Sequence, residues 1–352
     1  MDSWLKTILD DPTLHRLAKD AAAAKRRVVQ GQWGSSAHLV AGAVARAASR
    51  PVLLILAHLD DADEAVDDLR LIEGLTAEAF PALEVMPGET NVSLELLADR
   101  LRIVRRVLDG EQPDVMVAPI QALMQAVPQR QAMGSMVRSV AIGDTIDVGE
   151  LGGWLAEAGY ERVEAVEQPG EFAIRGGIID VFAPGQTMPV RIDLFGDEVD
   201  ALAEVDLDSM GSNRKLDSVS LIGATSETIQ STDETTSLWS LLRDQTIVVM
   251  AEPIEIAEQA RGYYERLTDA RGIYSPPAVL KAMIARGCIE LNQFGGLKDE
   301  PDAHLPVGRL HHFAEHANEA IDELATFALG DDHTPAHQVV VLCQKPAERQ
   351  RL

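Results

Sequence analysis

The feature that most constrains the fold is an alternation of short apolar runs with longer amphipathic segments in residues 1–132. The apolar runs have the length of β-strands, and segments with helical spacing of apolar residues separate them. Parallel strands need crossover connections, usually helices, and strands buried on both faces read as continuous apolar runs. The pattern therefore predicts βαβ units and a parallel sheet covered by helices. The runs are RRVVQ (26–30), PVLLILA (51–57), ALEVM (82–86) and DVMVAP (114–119).

A different pattern fills residues 133–222. Short β-type runs follow one another closely, Gly and Pro separate them, and one helical segment lies near the start. This combination predicts a compact inserted domain of α+β type with antiparallel strands. After this insertion the α/β pattern returns, beginning with QTIVVMAEP (245–253). The predicted fold class is therefore α/β, a parallel-sheet domain with an inserted antiparallel α+β domain. The loop at 31–39 and the family resemblance given below imply that the parallel-sheet domain is a degenerate P-loop (RecA- or helicase-like) domain.

The same changes of pattern divide the chain into four predicted parts. The last stretch reads as a strand that enters a helix, at which point the sequence ends, so we expect a further domain that is cut short. The parts are a P-loop NTPase-like domain (1–132), the inserted domain (133–222), a second part of the α/β module (223–332) and the start of a truncated domain (333–352).

Composition excludes several classes of function. The formal net charge is −25, so the chain as a whole repels phosphates and is a poor non-specific binder of nucleic acid. Its two cysteines, Cys288 and Cys343, lie far apart and suggest no disulfide framework, which fits a reducing cytoplasm. No apolar run reaches the roughly 20 residues that a membrane-spanning helix needs. We expect a cytoplasmic protein with no membrane partner.

The loop after the first predicted strand, GQWGSSAHL (31–39), has the setting of a phosphate-binding loop but not its residues. A working loop reads G-x-x-x-x-G-K-[ST], in which lysine reaches the phosphates and the hydroxyl binds magnesium. Here Ala37 replaces the lysine, and His38, a poor magnesium ligand, replaces the hydroxyl residue. We therefore predict a degenerate loop with no bound cofactor and no catalytic residues. The remnant comprises Gly31, Gly34, Ser35, Ser36, Ala37 and His38.

A second stretch supports the loss of ATP hydrolysis. TIVVMAEP (246–253) has the shape of the hydrophobic strand that ends in the magnesium-binding acidic pair of an ATPase. Ala251 stands in the place of the aspartate, and only Glu252 remains. An ordinary strand followed by a loop explains this stretch when it is taken alone. Two losses, at two positions that an ATPase needs, favour the degenerate site.

The stretch HFAEH (312–316) matches the inverted zinc-protease signature H-x-x-E-H. On a helix, His312 and His316 share a face with Glu315 beside them. Little chain follows to supply a third ligand, and short motifs often match by chance. We favour a polar helix face with incidental histidines, and we predict no metal site.

Two predicted strands in the insertion carry arginines among apolar residues. They are EFAIRGGIIDVF (171–182), which contains Arg175, and VRIDLFGDEV (190–199), which contains Arg191. An arginine on a strand of an acidic protein either pairs with a neighbouring carboxylate or faces a partner. The sequence leaves both alternatives open.

The stretch from Tyr160 to Val205 resembles the second domain shared by the excision-repair helicase UvrB and the transcription-repair coupling factors (Mfd). The residues that carry the resemblance include PGEFAIRGGIIDVFAPG (169–185) and PVRIDLFGDE (189–198), and the similarity extends from about residue 26 to the end. The coupling factors fit better than UvrB. UvrB has an intact P-loop and a tyrosine-rich hairpin that probes damaged DNA, whereas the matching stretch here, EVMPGETNVSLE (84–95), has no aromatic residue to stack on bases.

The resemblance implies an adaptor that binds UvrA in nucleotide excision repair through Arg175, Arg191 and Phe195. Ala173 stands where UvrB has another arginine and, as this resemblance implies, where the coupling factors lack one too. In the family, RNA polymerase and DNA are bound by later domains, which also use ATP and magnesium and are absent from these residues. The family's C-terminal region masks the UvrA surface, which implies constitutive binding by this chain. Two alternatives stay open: a divergent UvrB-type NTPase or helicase, and a stand-alone regulator that sequesters UvrA.

Overall fold

A computed structural model describes residues 3–83, 94–184, 186–207, 211–223, 234–294, 300–305, 307–308 and 317–330. Within these ranges the chain forms a seven-stranded parallel sheet, a six-stranded sheet and two small two-stranded sheets. The predicted α/β class with an inserted antiparallel domain is therefore confirmed.

The strands and helices of the described residues are numbered in chain order. The strands are β1 (Arg27–Gln30), β2 (Val52–Leu56), β3 (Ala77–Ala79), β4 (Val115–Pro119), β5 (Val127–Pro128), β6 (Val137–Ala141), β7 (Glu161–Arg162), β8 (Glu171–Arg175), β9 (Ile178–Phe182), β10 (Val190–Phe195), β11 (Glu198–Val205), β12 (Ser212–Lys215), β13 (Ser218–Ile222), β14 (Thr235–Thr236), β15 (Ile247–Ala251), β16 (Cys288–Asn292) and β17 (Ala303–His304). The helices are α1 (Ser3–Leu9), α2 (Pro12–Ala22), α3 (Ser36–Ala48), α4 (Asp61–Arg70), α5 (Leu94–Leu108), α6 (Ile120–Met124), α7 (Arg130–Met136), α8 (Val148–Glu157), α9 (Leu238–Leu241), α10 (Pro253–Glu265), α11 (Pro276–Ala285) and α12 (Ala317–Leu329).

The parallel sheet has the order β17-β1-β16-β15-β2-β4-β3. All five residues of β2 are buried, because helices cover both faces of the sheet. Alternate residues of this strand belong to different cores: Leu53 packs on one face and Leu54 on the other. A continuous apolar run is thus the sequence signature of a strand buried on both sides, as the pattern predicted.

Strands from before and after the insertion share this one sheet. β15 pairs with β2 and β16 pairs with β1, so the later strands lie at the centre of the sheet. Sequence reasoning missed β16, because Glu290 and Asn292 interrupt its apolar residues. Both are buried, and Glu290 accepts two hydrogen bonds from Arg26, at 2.6 Å from Nε and 2.9 Å from Nη2. The predicted domain boundaries stay a prediction.

The third strand lies earlier than the sequence pattern placed it. β3 is a short edge strand that pairs with β4. The predicted run 82–86 follows it: residues 82–83 are outside any strand, and 84–86 lie outside the described residues. Asp114 fixes the entry to β3, because its Oδ2 accepts hydrogen bonds from both the backbone N–H and the hydroxyl of Thr76, each at 2.8 Å.

The inserted sheet has the order β12-β11-β10-β9-β8-β7, and its pairs are antiparallel except β7 with β8. Helix α8 covers one face, where Leu151 and Leu155 join a core with Phe172 and Ile192. The helix approaches closely at Gly152, where a Cβ atom would lie 2.9 Å from the Cδ1 atom of Ile174. The opposite face carries the arginines of β8 and β10.

No helix within the described ranges is both long enough and apolar enough to cross a bilayer.

Candidate functional site

Two hairpin turns lie side by side at one end of the inserted sheet. Gly176 and Gly177 join β8 to β9, and Gly196 begins the turn from β10 to β11. The backbone N–H of Leu194 donates to the carbonyl oxygen of Gly177 at 2.8 Å. A Cβ atom on Gly177 would lie 3.0 Å from the carbonyl oxygen of Leu194, so the close approach of the two turns requires glycine there.

The last residues of β8 and β10 are Arg175 and Phe195, and both lie at this end of the sheet. Each strand pairs antiparallel with β9, so the two run in the same direction. The hairpin order therefore brings together residues that are 20 positions apart in the sequence.

Asp180 of β9 is the centre of the cluster. It lies opposite Ala173 on one side and Arg191 on the other. Its Oδ1 accepts from Arg191 Nε at 2.7 Å, and its Oδ2 accepts from Arg191 Nη2 at 2.9 Å and from Arg175 Nη2 at 2.7 Å. The Asp180 side chain is fully buried, whereas 51% of the Arg175 side chain remains exposed. One carboxylate thus holds two guanidinium groups at the surface.

The cluster pairs two arginines with one buried carboxylate on a strongly acidic chain. The hydrogen bonds that Arg191 donates to Asp180 raise the pKa of Arg191, partial burial opposes this effect, and the Asp193 carboxylate adds a smaller increase. Arg191 is therefore charged, and Arg175, which bonds to Asp180 through Nη2, keeps a half-exposed guanidinium group. Such a group on a surface is suited to bind a carboxylate of a partner.

Phe195 adds an exposed aromatic ring to the charged cluster. The register of β10 against β11 shifts between Asp193 and Leu194, and such irregularities re-aim the side chains that follow. The ring of Phe195 is 84% exposed, and Ile178, opposite Arg175, is also exposed. Exposed aromatic residues beside charged groups are typical anchors of protein–protein interfaces.

The structure brings the three predicted partner-binding residues onto one sheet. Of the two alternatives that the sequence left open, the structure shows the pairing with a carboxylate at Arg175, whose side chain is also half exposed, and the contact with a partner stays a prediction. The carboxylate comes from a neighbouring strand, and sequence reasoning missed Asp180. The available signal was a charged residue in the middle of the apolar run IIDVF (178–182).

Three backbone donors of the loop after β1 are hydrogen-bonded within the protein. Gln32 N–H donates to the Asn292 carbonyl at 3.1 Å, Trp33 N–H to Ser36 Oγ at 2.9 Å, and Ser36 N–H to the Trp33 carbonyl at 3.1 Å. In a phosphate-binding loop such groups point at the ligand. Gly31 (φ +86°) brings the loop close to Leu305, whose carbonyl oxygen would lie 2.8 Å from an added Cβ atom.

Of the positions that the sequence assigned to a degenerate loop, Ser36, Ala37 and His38 are buried, whereas Gly34 is exposed. Ala37 lies on α3, and its side chain is buried in the hydrophobic core. His38, on the same helix, is buried against Asp68 of α4. Glu252 adopts a left-handed backbone conformation (φ +55°) at the start of α10. Its Oε1 accepts from the Gln293 backbone N–H at 2.6 Å, so the surviving acidic residue joins the ends of β15 and β16. Gly34 and Ser35 complete the turn into α3.

Two sequence-based interpretations remain without structural evidence. The zinc-signature residues His312, Glu315 and His316 lie outside the described residues. So does most of the stretch 84–95 that lacks the tyrosine-rich hairpin.

Comparison with known proteins defines the class of the inserted domain. Residues 139–226 match the UvrB interaction domain family. This range begins within β6 and contains the whole six-stranded sheet with the arginine cluster.

The chain is also similar to named proteins over about half of its length. It is 35% identical over 199 residues to the transcription-repair-coupling factor of Bacillus subtilis, a match that covers 56% of this chain and 17% of that protein. It is 31% identical over 199 residues to the Mycobacterium bovis factor (54% and 16%) and 30% identical over 168 residues to the Haemophilus influenzae factor (47% and 15%). The resemblance to the N-terminal, UvrB-like region of transcription-repair coupling factors is thereby confirmed. The match spans about a sixth of the length of each of these relatives.

Proposed function

We propose that this chain is the adaptor module of a transcription-repair coupling factor, which recruits UvrA to RNA polymerase stalled at DNA damage. The observation that supports it best is the cluster of Arg175, Asp180 and Arg191 beside the exposed Phe195, on the domain that matches the UvrB interaction family. On this proposal, the polymerase contact and the ATP- and magnesium-dependent translocase belong to other domains of the family.

The surface supports recognition of an acidic partner through two kinds of contact. The half-exposed Arg175 donates charge-assisted hydrogen bonds to a carboxylate of UvrA, and the Phe195 ring enters an apolar pocket. Interface energies are concentrated in few residues, typically aromatic residues and arginines near the centre of the contact. The expected cost of losing one such residue is about 2 kcal/mol or more.

We also propose that this chain hydrolyses no ATP. Three backbone donors of the loop after β1 are used inside the protein, and the lysine and hydroxyl positions hold Ala37 and His38. The test is ATP turnover with magnesium, measured for the chain and for Ser36→Ala. Turnover that depends on Ser36 would refute the proposal and favour a divergent NTPase.

The binding proposal is tested by measuring UvrA affinity for Arg175→Ala combined with Arg191→Ala. The double variant leaves the buried Asp180 carboxylate unpaired, which costs stability. Arg175→Ala alone is therefore measured as well, because Arg191 still pairs with Asp180 in it. We expect both variants to lose affinity for UvrA.

The matched control is Arg214→Ala combined with Lys215→Ala. These two residues lie on β12 of the same sheet, and removing them changes the charge equally. The control should bind UvrA as the parent chain does. Unchanged affinity of the folded Arg175→Ala variant would contradict the assignment of this surface.

A further inference from the structure

We infer that Asp180 is a positioning residue, which holds Arg175 and Arg191 in their binding arrangement before the partner arrives. The inference rests on the proposed function of this surface and extends it to a residue that does not itself face the partner. Asp180 is fully buried beneath the two arginines, so it acts through them.

The hydrogen bonds fix both the orientation and the spacing of the two cations. Arg191 binds Asp180 with two donors, which sets the plane of its guanidinium group. Oδ2 of Asp180 also accepts from Arg175, so terminal nitrogens of both arginines lie within 2.9 Å of one oxygen atom. Two guanidinium groups bonded to one oxygen atom repel each other, and the negative charge of the shared carboxylate offsets this repulsion.

Stability alone explains only one of the two pairings. A buried carboxylate needs a partner, and the mostly buried Arg191 supplies it with two hydrogen bonds. Arg175 is half exposed, and the Asp180 carboxylate already accepts two hydrogen bonds from Arg191, so the second pairing is needed less for folding. The second pairing therefore points to recognition, because it orders a long side chain that would otherwise lose its freedom on binding.

Small neighbours support the same arrangement. In the cross-strand row, Ala173 flanks Asp180 on β8 and Ala203 flanks Arg191 on β11. Neither alanine has a polar group that could compete for the carboxylate. The carboxylate of Asp180 is therefore bonded by the two arginines and by neither of the neighbouring alanine side chains.

The test uses Asp180→Asn in the full chain, with two measurements. The first is the affinity for UvrA, which we expect to fall about tenfold or more because two arginines lose their preorganisation. The second is NMR of the arginine Nε–H groups without UvrA. We expect Arg191 Nε–H to be ordered in the parent chain, and the Arg175 and Arg191 side chains to become mobile in the variant.

A second variant and a control separate positioning from charge and folding. Asp180→Glu keeps the negative charge but shifts the carboxylate by one methylene group, and we expect a several-fold loss of affinity in a folded chain. This variant also carries the test if Asp180→Asn fails to fold. Glu204→Gln breaks the ion pair with Arg214 in the same sheet and should change neither measurement.

The outcomes distinguish this inference from the proposed function. Unchanged arginine order, or unchanged UvrA affinity despite lost order, would overturn the role of Asp180. If the parent chain does not bind UvrA, the proposed function is wrong. In that case loss of arginine order in Asp180→Asn still supports Asp180 as the residue that positions the pair.

Discussion

The Nδ1 atom of His38 lies 2.8 Å from Oδ2 of Asp68, and this contact joins α3 to α4. A P-loop carries its magnesium-binding hydroxyl at the position of His38. Here the side chain is buried between helices and serves the scaffold. On the degenerate-loop interpretation, which stays a prediction, His38 occupies the position of that hydroxyl, and its side chain is used for packing.

We expect His38→Ala to lower the free energy of unfolding by about 1–3 kcal/mol, because the Asp68 carboxylate loses its partner and a buried ring leaves a cavity. Urea unfolding measures the change. His15→Ala, an exposed histidine of α2, is the control and should stay within about 0.5 kcal/mol of the parent. A His38 variant as stable as this control would show that the contact contributes nothing.

Much of the fold could be predicted from the sequence, because apolar runs in the sequence mark many of the strands. β2 and β4 follow the predicted runs closely, whereas the predicted strands 171–182 and 190–199 each contain a hairpin turn, which separates β8 from β9 and β10 from β11. β16 could not be predicted, because it contains the charged residue Glu290. This residue can be buried there because it pairs with Arg26, which lies 264 residues away in the chain. Short edge strands such as β3 have too few side chains to show a period.

Sequence reasoning named Arg175, Arg191 and Phe195 as site residues and did not name the buried Asp180. Arg175 and Phe195 were assigned through the family resemblance, and that assignment stays a prediction. The pairing of Asp180 with Arg191 depends on the register between the neighbouring strands β9 and β10. Register is set by the turns and the buried face together, so no local pattern in the sequence shows it.

Arg100 of α5 is a buried arginine that donates hydrogen bonds to backbone carbonyl groups outside its own helix. It donates to the carbonyl oxygens of Pro81 (2.7 Å), Ala122 (3.0 Å) and Gln125 (2.8 Å), and its guanidinium lies 4.2 Å from the centre of the Phe80 ring. Burial lowers the pKa of Arg100 to about 9, so the side chain is still charged at neutral pH.

We expect Arg100→Met to cost about 3 kcal/mol or more of unfolding free energy, because three carbonyl groups lose a charged donor. Thermal and urea unfolding provide the measurement. Arg102→Met on the same helix is the control: its exposed side chain pairs with Glu78 at the surface, so it should cost about 1 kcal/mol or less. Equal costs for the two variants would contradict a special role for the buried arginine.

Glu252 gives the chain a predictable pH dependence. Burial raises the pKa of its carboxyl group, the Gln293 backbone N–H lowers it, and the Glu255 carboxylate raises it. Above the ordinary value of 4.5 the folded chain therefore binds more protons at this site than the unfolded chain. The contribution of Glu252 to stability falls as the pH rises through the window between the ordinary and the raised pKa.

Glu252→Gln removes this titration and keeps an oxygen that can accept from Gln293. The difference in unfolding free energy between variant and parent should shift in favour of the variant as the pH rises from about 4 to about 7. Urea unfolding across this range provides the test. Glu258→Gln, at an exposed position of the same helix, removes one carboxylate likewise and is the control. A shift in favour of the parent would mean that the Gln293 contact outweighs burial.

Phe195 should separate binding from stability more sharply than any other residue of the surface. Its ring is 84% exposed, so little apolar contact is lost when it is removed from the free chain. We expect Phe195→Ala to change the unfolding free energy by less than about 0.5 kcal/mol and to weaken UvrA binding by about 2 kcal/mol or more, mainly through faster dissociation.

Phe294→Ala is the control, because Phe294 is also exposed but lies after β16 on the parallel sheet, against Trp33. Equal binding by the two variants would mean that Phe195 is not an anchor, and a large loss of stability in Phe195→Ala would mean that the ring supports the hairpin instead.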